Sequence, residues 1–218
     1  MQFFDVFPTF QEAPYSYIIV PILMISSILG FYTKPYFHAL LLHPYELARG
    51  KRLHTLLTSA FIHRNWIHLL FNMLIIYGLG YDMFGNIMQV YGSVSAYLLT
   101  PLLFSLLIII PNAFLVLNKR NDFYFTSIGA SGLTFGLYGF SALFFPLQKI
   151  NHLFIPWIHN AAQYWLYILI VLTLLSCVKI SKINRSLHIV AYLLGSIIAL
   201  ITRNESIYEF TKALFLKF

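Results

Sequence analysis

Six stretches of the chain are rich in apolar side chains and contain no charged residue. They cover residues 13–33, 65–81, 83–118, 123–148, 150–178 and 186–202. Because about 20 apolar residues span the hydrocarbon core of a bilayer, each stretch predicts one transmembrane helix. The predicted helices run near residues 15–32, 66–81, 90–110, 128–147, 163–178 and 186–202. This pattern predicts an all-α polytopic membrane protein built as a bundle of six transmembrane helices.

The third stretch is long enough to hold two helices, but it contains Pro101 and Pro111. These prolines predict one long helix that ends near residue 110, followed by an irregular exit toward Asn118. The long connection at 34–65 mixes prolines, charges and apolar runs, which predicts an interfacial, partly embedded loop. With 218 residues, we expect residues 1–218 to form a single membrane domain without an appended soluble module.

The composition agrees with a membrane protein and excludes an ordinary soluble domain. Hydrophobic residues make up 59% of the chain and charged residues 10%, with a mean hydropathy of +0.76. The net charge of +7 favours lipid headgroups as counterions over nucleic acid. Cys177 is the single cysteine, which excludes an intrachain disulfide and a multi-cysteine zinc site. The first 14 residues contain no basic residue and do not predict a signal peptide.

Polar side chains lie near the beginnings of three predicted helices. His68, Ser131 and His188 fall within the first turns of the second, fourth and sixth helices, which enter the bilayer from the same side. At about 1.5 Å rise per residue, all three lie a few ångströms below that surface, where water reaches them. Asn72 follows His68 by four residues and shares its helix face. Because polar groups are costly inside a membrane, this cluster predicts a functional site.

The residue types indicate a serine hydrolase. Ser131 is the candidate nucleophile, and it needs a neighbouring group that accepts a proton. All acidic residues lie outside the six stretches, so histidines are the available bases. We therefore predict a dyad of Ser131 and His188 without a carboxylate. His68 and Asn72, together with backbone N–H groups around Ser131, form the predicted oxyanion hole.

Small residues on two predicted helices support this pairing. The fourth helix carries glycines three or four positions apart, namely Gly129, Gly132, Gly136 and Gly139. The sixth helix carries small residues at four-residue spacing, namely Ala191, Gly195 and Ala199. Such stripes allow the backbones of two helices to approach closely. His188 shares the face of the second stripe, so we expect helix packing to bring its ring toward Ser131.

These residues also form the motifs of a known family. The motifs are His63-x4-His68-x3-Asn72, Gly129-x-Ser131-Gly132, and His188 followed by Ala191 and Gly195. From about residue 54 to residue 200 the chain resembles the rhomboid family of intramembrane serine proteases. The resemblance implies a six-helix rhomboid-like bundle in which Ser131 is the nucleophile and His188 is the general base. It also implies cleavage of transmembrane segments of other membrane proteins, with no metal or other cofactor.

The chain departs from the family pattern at a few positions. Leu187 precedes the histidine where the family usually has alanine, and Ala191 replaces a glycine. His54-Thr55 replaces a frequent Trp-Arg pair, which leaves open how the loop after the first helix is anchored. Phe135 stands where an aromatic ring often packs on the catalytic histidine. His63 is expected to be structural or a polar neighbour of the site.

Three alternative functions are weighed against the protease. An inactive rhomboid-like protein that binds membrane helices is disfavoured by the retained Ser131 and His188. A small-molecule or ion transporter would more often show repeated halves and polar residues at the membrane midplane. Another class of intramembrane protease needs a His-Glu-x-x-His motif or two membrane aspartates, and the sequence has neither. Taken singly, a serine such as Ser131 is more often a packing residue, and an asparagine such as Asn72 more often makes a hydrogen bond between helices. Their joint placement favours catalysis.

The orientation in the membrane receives two opposite predictions. The resemblance places the site on the outer face of the plasma (inner) membrane. Ten basic residues would lie on the side of the site: Lys34, Arg49, Lys51, Arg52, Arg64, Lys119, Arg120, Lys179, Lys182 and Arg185. Four would lie opposite: Lys149, Arg203, Lys212 and Lys217. The positive-inside rule therefore predicts a cytoplasmic site. We expect the outer face, since basic loop residues also bind anionic headgroups. Substrates would be transmembrane proteins, and the oligomeric state stays open.

Overall fold

A computed structural model describes residues 8–150, 157–177 and 184–215 of the chain. In these residues the regular structure is helical, and two isolated antiparallel bridges join Leu42 to Ser127 and Lys149 to Asn160. The helices are α1 (Pro14–Tyr32), α2 (Lys34–Leu40), α3 (Pro44–Leu47), α4 (Thr55–Thr58), α5 (Trp66–Lys119), α6 (Ser131–Phe144), α7 (Ala161–Cys177), α8 (Arg185–Thr202) and α9 (Glu205–Phe215). The predicted all-α class is confirmed for this part of the chain.

The chain forms two compact units, Met1–Thr134 and Phe135–Phe218, and the boundary between them falls within α6. Among the described residues, three helices are long and apolar enough to cross a membrane, namely α1, α5 and α8. Helix α7 is apolar but has 17 residues, and α6 has 14. The chain is therefore helical and membrane-embedded in character, while the single domain and the six spans stay predictions.

Helix α5 contains the second and third predicted helices in one element. Gly92 divides it, because its φ of 79° and ψ of 171° are not helical and suit only glycine. The predicted end of the third helix near residue 110 is wrong, since α5 continues through Pro111 to Lys119. Proline leaves the carbonyl four residues earlier without its usual donor. At Tyr97 the hydroxyl of Tyr15 in α1 supplies that hydrogen bond instead, so the helix tolerates Pro101.

Helix α1 packs closely on the first half of α5. The Ser16 hydroxyl donates to the carbonyl of Tyr77 at 2.9 Å. A methyl group at Gly80 would lie 2.7 Å from the same hydroxyl oxygen, so a glycine is needed where the two helices approach. Leu23, on α1, is fully buried. The first span is thereby tied to the helix that carries His68 and Asn72.

The long loop after α1 is more regular than predicted, because it contains α2, α3 and α4. The Arg52 guanidinium donates to three carbonyls at the end of α2, those of His38, Ala39 and Leu41. Its other amino group pairs with the Glu46 carboxylate at 3.0 Å. Cationic donors at a helix C-terminus satisfy carbonyls that have no partner within the helix. Arg52 therefore folds the loop back on itself.

A second anchor joins this loop to α5. The amide of Asn112 donates to the carbonyl of Leu56 at 2.8 Å and to the hydroxyl of Ser59 at 3.1 Å. These bonds and those of Arg52 answer the question left open by the absence of the Trp-Arg pair. In this chain, Arg52 and Asn112 of α5 contact the loop's backbone instead.

In the second unit, α6 and α8 pack with their backbones in contact. A methyl group at Gly195 would collide with the carbonyl of Gly136. A methyl group at Gly139 would collide with the carbonyl of Tyr192, one turn further along. The predicted close approach of these two helices is confirmed.

Helix α9 was not predicted from the pattern of apolar stretches, because it carries both acidic and basic residues. Arg203, between α8 and α9, donates to the carbonyl of Phe144 at 3.0 Å and pairs with the Glu209 carboxylate through two bonds of 2.7 and 2.6 Å. Ser206 also donates to Phe144 at 2.7 Å. These contacts cap the C-terminal end of α6 and hold α9 in place.

Apart from the ends of the second and third predicted helices, which both lie inside α5, the helix boundaries lie within about three residues of the prediction. Helix α6 begins at Ser131, three residues after the predicted start. Helix α7 begins two residues before its predicted start, and its predicted end at residue 178 lies outside the described residues. Lys179, Lys182 and Lys217, used in the charge comparison, also lie outside them.

The contact between α6 and α8 generates a stability prediction. Gly195→Ala forces the two backbones apart, and overpacking of this kind costs about 1–3 kcal/mol. We therefore expect thermal unfolding of the purified protein several degrees below that of the wild type. Gly78→Ala is the matched control, because its methyl group meets nothing within 4 Å and alanine favours the helix. Equal melting temperatures for the two variants would contradict the prediction.

Candidate active site

Gly129 sets the position at which α6 begins. Its φ of +104° is disfavoured for any residue with a side chain, and a methyl group there would also collide with the His68 ring. Its N–H donates to the carbonyl of Ser59 at 2.9 Å. The helix therefore starts after this turn, at Ser131, and not at the predicted residue 128.

His63 is fully buried in the turn before α5 and joins two segments through its ring. Its Nε2 lies 3.2 Å from the amide nitrogen of Ala130, and its Nδ1 lies 2.8 Å from Oγ of Ser27 in α1. A backbone N–H only donates, so Nε2 accepts and Nδ1 carries the ring proton. Ser27 then accepts from Nδ1 and donates to the carbonyl of Phe61 at 3.0 Å.

The surroundings keep the His63 ring neutral. Burial lowers the pKa of His63 to about 3, and the nearby His68 adds to the effect. The two rings lie 5.0 Å apart, edge to face. A neutral ring retains the lone pair that accepts from Ala130. His63 therefore holds the segment before Ser131 and has the structural role expected from the sequence.

Ser131 is the first residue of α6 and is 8% exposed. The first N–H groups of a helix have no partner within the helix, so backbone donors surround this position. The N–H of Gly129 donates to the Ser59 carbonyl, and the N–H of Ala130 donates to Nε2 of His63. The serine thus follows a turn whose two N–H groups are both hydrogen-bonded, within the first compact unit.

His68 and Asn72 border the same segment from α5. Asn65 caps this helix, its Oδ1 accepting from the N–H of His68 at 2.9 Å. The His68 ring contacts Gly129, and the Asn72 Oδ1 accepts from the hydroxyl of Thr134 at 2.7 Å. Both side chains therefore contact the segment around Ser131, His68 on the residue two before it and Asn72 on the residue three after it, while the convergence of their donors on one point stays a prediction.

His188 lies in α8 and belongs to the second unit. Its ring stacks on that of Phe135, with the centroids 4.3 Å apart and the planes 25° from parallel. The predicted packing of a phenyl ring on this histidine is confirmed. Ala191 and Gly195 are buried on the same helix. Phe135 itself lies four residues after Ser131 in α6.

The four glycines of the fourth predicted helix do not all pack against the same helix. Gly129 faces His68, and Gly132 lies against the carbonyl of Leu107 in α5, where a methyl group would sit 3.4 Å away. Gly136 and Gly139 face α8. The expectation that all four form one contact surface for the sixth helix is wrong. Gly129 lies before the first residue of α6 and has a φ of +104°, so the helical periodicity that aligns the other three glycines does not apply to it.

Two polar residues near the site were missed in the sequence, Ser27 and Thr134. Ser27 sits in the first apolar stretch, where a serine alone gives no functional signal. Thr134 lies three residues after Ser131, and this spacing on one helix was the only available hint. Within the described residues, no group of three or more His, Cys, Asp or Glu side chains has the arrangement to hold a metal ion.

Comparisons with known proteins complete the description of this site. A comparison with models of protein families matches residues 50–205 to the Rhomboid domain. A comparison with curated proteins gave no match. The matched region covers well over half of the 218 residues and contains each motif residue named above. The chain therefore belongs to the rhomboid family.

Proposed function

We propose that this rhomboid-family membrane protein is an intramembrane serine endopeptidase. Ser131 is the nucleophile, His188 is the general base, and His68 and Asn72 donate to the oxyanion. One observation carries the proposal: the ring of His188 stacks on Phe135, which follows Ser131 by four residues, about one turn of the same helix. This stack would orient the imidazole toward the serine.

The buried His63 does not suit the role of base. Both nitrogens of His63 are engaged, one accepting from Ala130 and the other donating to Ser27. A general base needs a free lone pair within hydrogen-bond reach of the hydroxyl it deprotonates. His63 is therefore unsuited to accept the Ser131 proton, and the stack on Phe135 is the observation that supports His188 in that role.

The proposed reaction follows from these roles. His188 takes the hydroxyl proton as the Ser131 oxygen attacks the peptide carbonyl of a substrate. The negative charge that develops on the carbonyl oxygen is stabilised by N–H donors of Asn72, His68 and the first turn of α6. His188 then protonates the leaving amine, and water resolves the acyl-enzyme.

The substrates would be transmembrane segments of other membrane proteins. A helical peptide occupies its own carbonyls with internal hydrogen bonds, so it must unwind before attack. Segments with glycine, proline or polar residues near one end unwind at the lowest cost. We therefore propose that such segments are cleaved in preference to uniformly apolar helices.

The dyad is tested by removing either member. Ser131→Ala and His188→Ala should each abolish cleavage of a model transmembrane substrate and leave the folded yield nearly unchanged. Ser141→Ala is the matched control, because Ser141 lies in the same helix and its buried hydroxyl has no partner among the described residues. Fluorophosphonate labelling of the wild type and of the Ser131→Ala variant measures the nucleophile directly. An unlabelled, inactive wild type would contradict the protease and leave the inactive rhomboid-like protein and the transporter as the alternatives.

The oxyanion donor is tested by Asn72→Ala. Loss of one such donor typically lowers the catalytic rate by about 100- to 1,000-fold, with a smaller effect on substrate binding. Asn86→Ala is the control, because Asn86 is a buried asparagine in the same helix whose Nδ2 has no partner among the described residues. If Asn72→Ala lowers only thermal stability and turnover per folded enzyme is normal, Asn72 has a structural role and no role in catalysis.

The orientation is tested by cysteine labelling in a Cys177→Ser background. Tyr124, between α5 and α6, is 91% exposed, and Tyr208 on α9 is 72% exposed. In a six-span topology these positions lie on opposite sides of the membrane. With the site on the outer face, a membrane-impermeant thiol reagent labels Tyr124→Cys in intact cells and Tyr208→Cys only after lysis. The reverse pattern would place the site in the cytoplasm, as the positive-inside rule predicts.

A further inference from the structure

Thr134 and Asn72 form a buried hydrogen-bonded pair between α6 and α5. The Thr134 hydroxyl lies 2.7 Å from Oδ1 of Asn72, and Nδ2 of Asn72 lies 2.7 Å from the carbonyl of His68. Thr134 is 1% exposed and Asn72 is 2% exposed. The bond between these two side chains thus forms where water does not compete.

These contacts permit only one orientation of the Asn72 amide. The His68 carbonyl is an acceptor, so the amide group that faces it must be the NH₂. The opposite orientation would place two carbonyl oxygens 2.7 Å apart. Oδ1 of Asn72 therefore faces Thr134, whose hydroxyl must donate to it. The carbonyl of Ala130 also lies 3.2 Å from this hydroxyl, but the bond to Asn72 is shorter.

We propose that Thr134 is a positioning residue that aims the second N–H of Asn72 at the developing oxyanion. This inference rests on the function proposed above. An amide is planar, so fixing its oxygen and one N–H leaves one direction for the other N–H. The side-chain torsion next to the amide is otherwise soft. Thr134 itself is held in the first turn of α6 by its N–H, which donates to Ala130 at 3.0 Å.

The test compares Thr134→Val with Thr134→Ser. Valine keeps the shape and removes the hydroxyl, so the Asn72 amide loses its fixed orientation. We expect kcat to fall about tenfold, the loss associated with one buried hydrogen bond, while KM changes little. Serine retains the hydroxyl and should keep kcat within about twofold of the wild type. Rates are taken per folded enzyme, with melting temperatures measured in parallel.

A double-mutant cycle shows whether Thr134 acts through Asn72. In the Asn72→Ala background, Thr134→Val should cause little further loss, because the group that it positions is gone. The rate of fluorophosphonate labelling, followed over hours, measures variants that cleave substrate too slowly. Losses that multiply in the double variant would overturn the proposal, as would a normal kcat in Thr134→Val or a serine variant as impaired as valine.

The outcomes also separate this inference from the proposed function. If Ser131→Ala abolishes labelling and cleavage while Thr134→Val leaves kcat unchanged, the protease stands and the positioning role fails. If the wild type is neither labelled nor active, the proposed function fails first, and the positioning role fails with it. If Thr134→Val lowers only the melting temperature, the hydroxyl serves packing alone.

Discussion

The neutral ring of His63 connects α1 to the turn that precedes Ser131, and the placement of the proposed nucleophile depends on this connection. The N–H groups of Gly129 and Ala130 point away from the start of α6 and need partners inside an apolar protein. Ser59 and His63 provide them. A protonated imidazole would be unable to accept from Ala130, so the burial that keeps the ring neutral is also what keeps the turn closed.

Helix packing in this chain depends on glycines, because a residue without a side chain lets a neighbouring helix approach the backbone. Without a strong hydrophobic drive between apolar helices in lipid, close packing and interhelical hydrogen bonds stabilise the bundle. At Gly80 the Ser16 side chain of α1 lies where a side chain on α5 would be, and at Gly195 the carbonyl of Gly136 lies where a side chain on α8 would be. The stack of His188 on Phe135 occurs on the same two helices as the second contact. A change in the separation of α6 and α8 therefore changes the position of the imidazole.

The sequence predicted those features that depend on one helix or on composition. Four-residue spacing placed His68 and Asn72 together, and apolar stretches located α1 and α8 to within a residue. It failed where the partner lies far along the chain. The predicted third helix included Pro101, but a local pattern could not show what replaces the missing proline N–H, because the Tyr15 hydroxyl that donates to the Tyr97 carbonyl lies 82 residues away. Local periodicity also gave no sign of α9, whose charged residues lower its hydropathy.

The same limit explains why the anchors of the loop after α1 were not foreseen. The family pattern has a Trp-Arg pair in this loop, and this chain has His54-Thr55 in its place. The physical requirement is only that the final carbonyls of α2 and the backbone of α4 find donors. Arg52 and Asn112 meet it from other positions. A requirement set by backbone hydrogen bonding is thus met by residues that a motif comparison passes over.

The groups that contact the turn before Ser131 and the first turn of α6 include hydroxyls, an amide and the neutral imidazole of His63. Charged donors would stabilise an oxyanion more strongly, but burying an unpaired charge costs several kcal/mol or more. A neutral dipole avoids that cost and stabilises a developing charge only if its direction is fixed beforehand. In such a site, the bonds that orient a donor matter as much as the donor. If Asn72 is the oxyanion donor proposed above, the contacts on both sides of its amide, a hydroxyl at its oxygen and a carbonyl at its nitrogen, fix that direction.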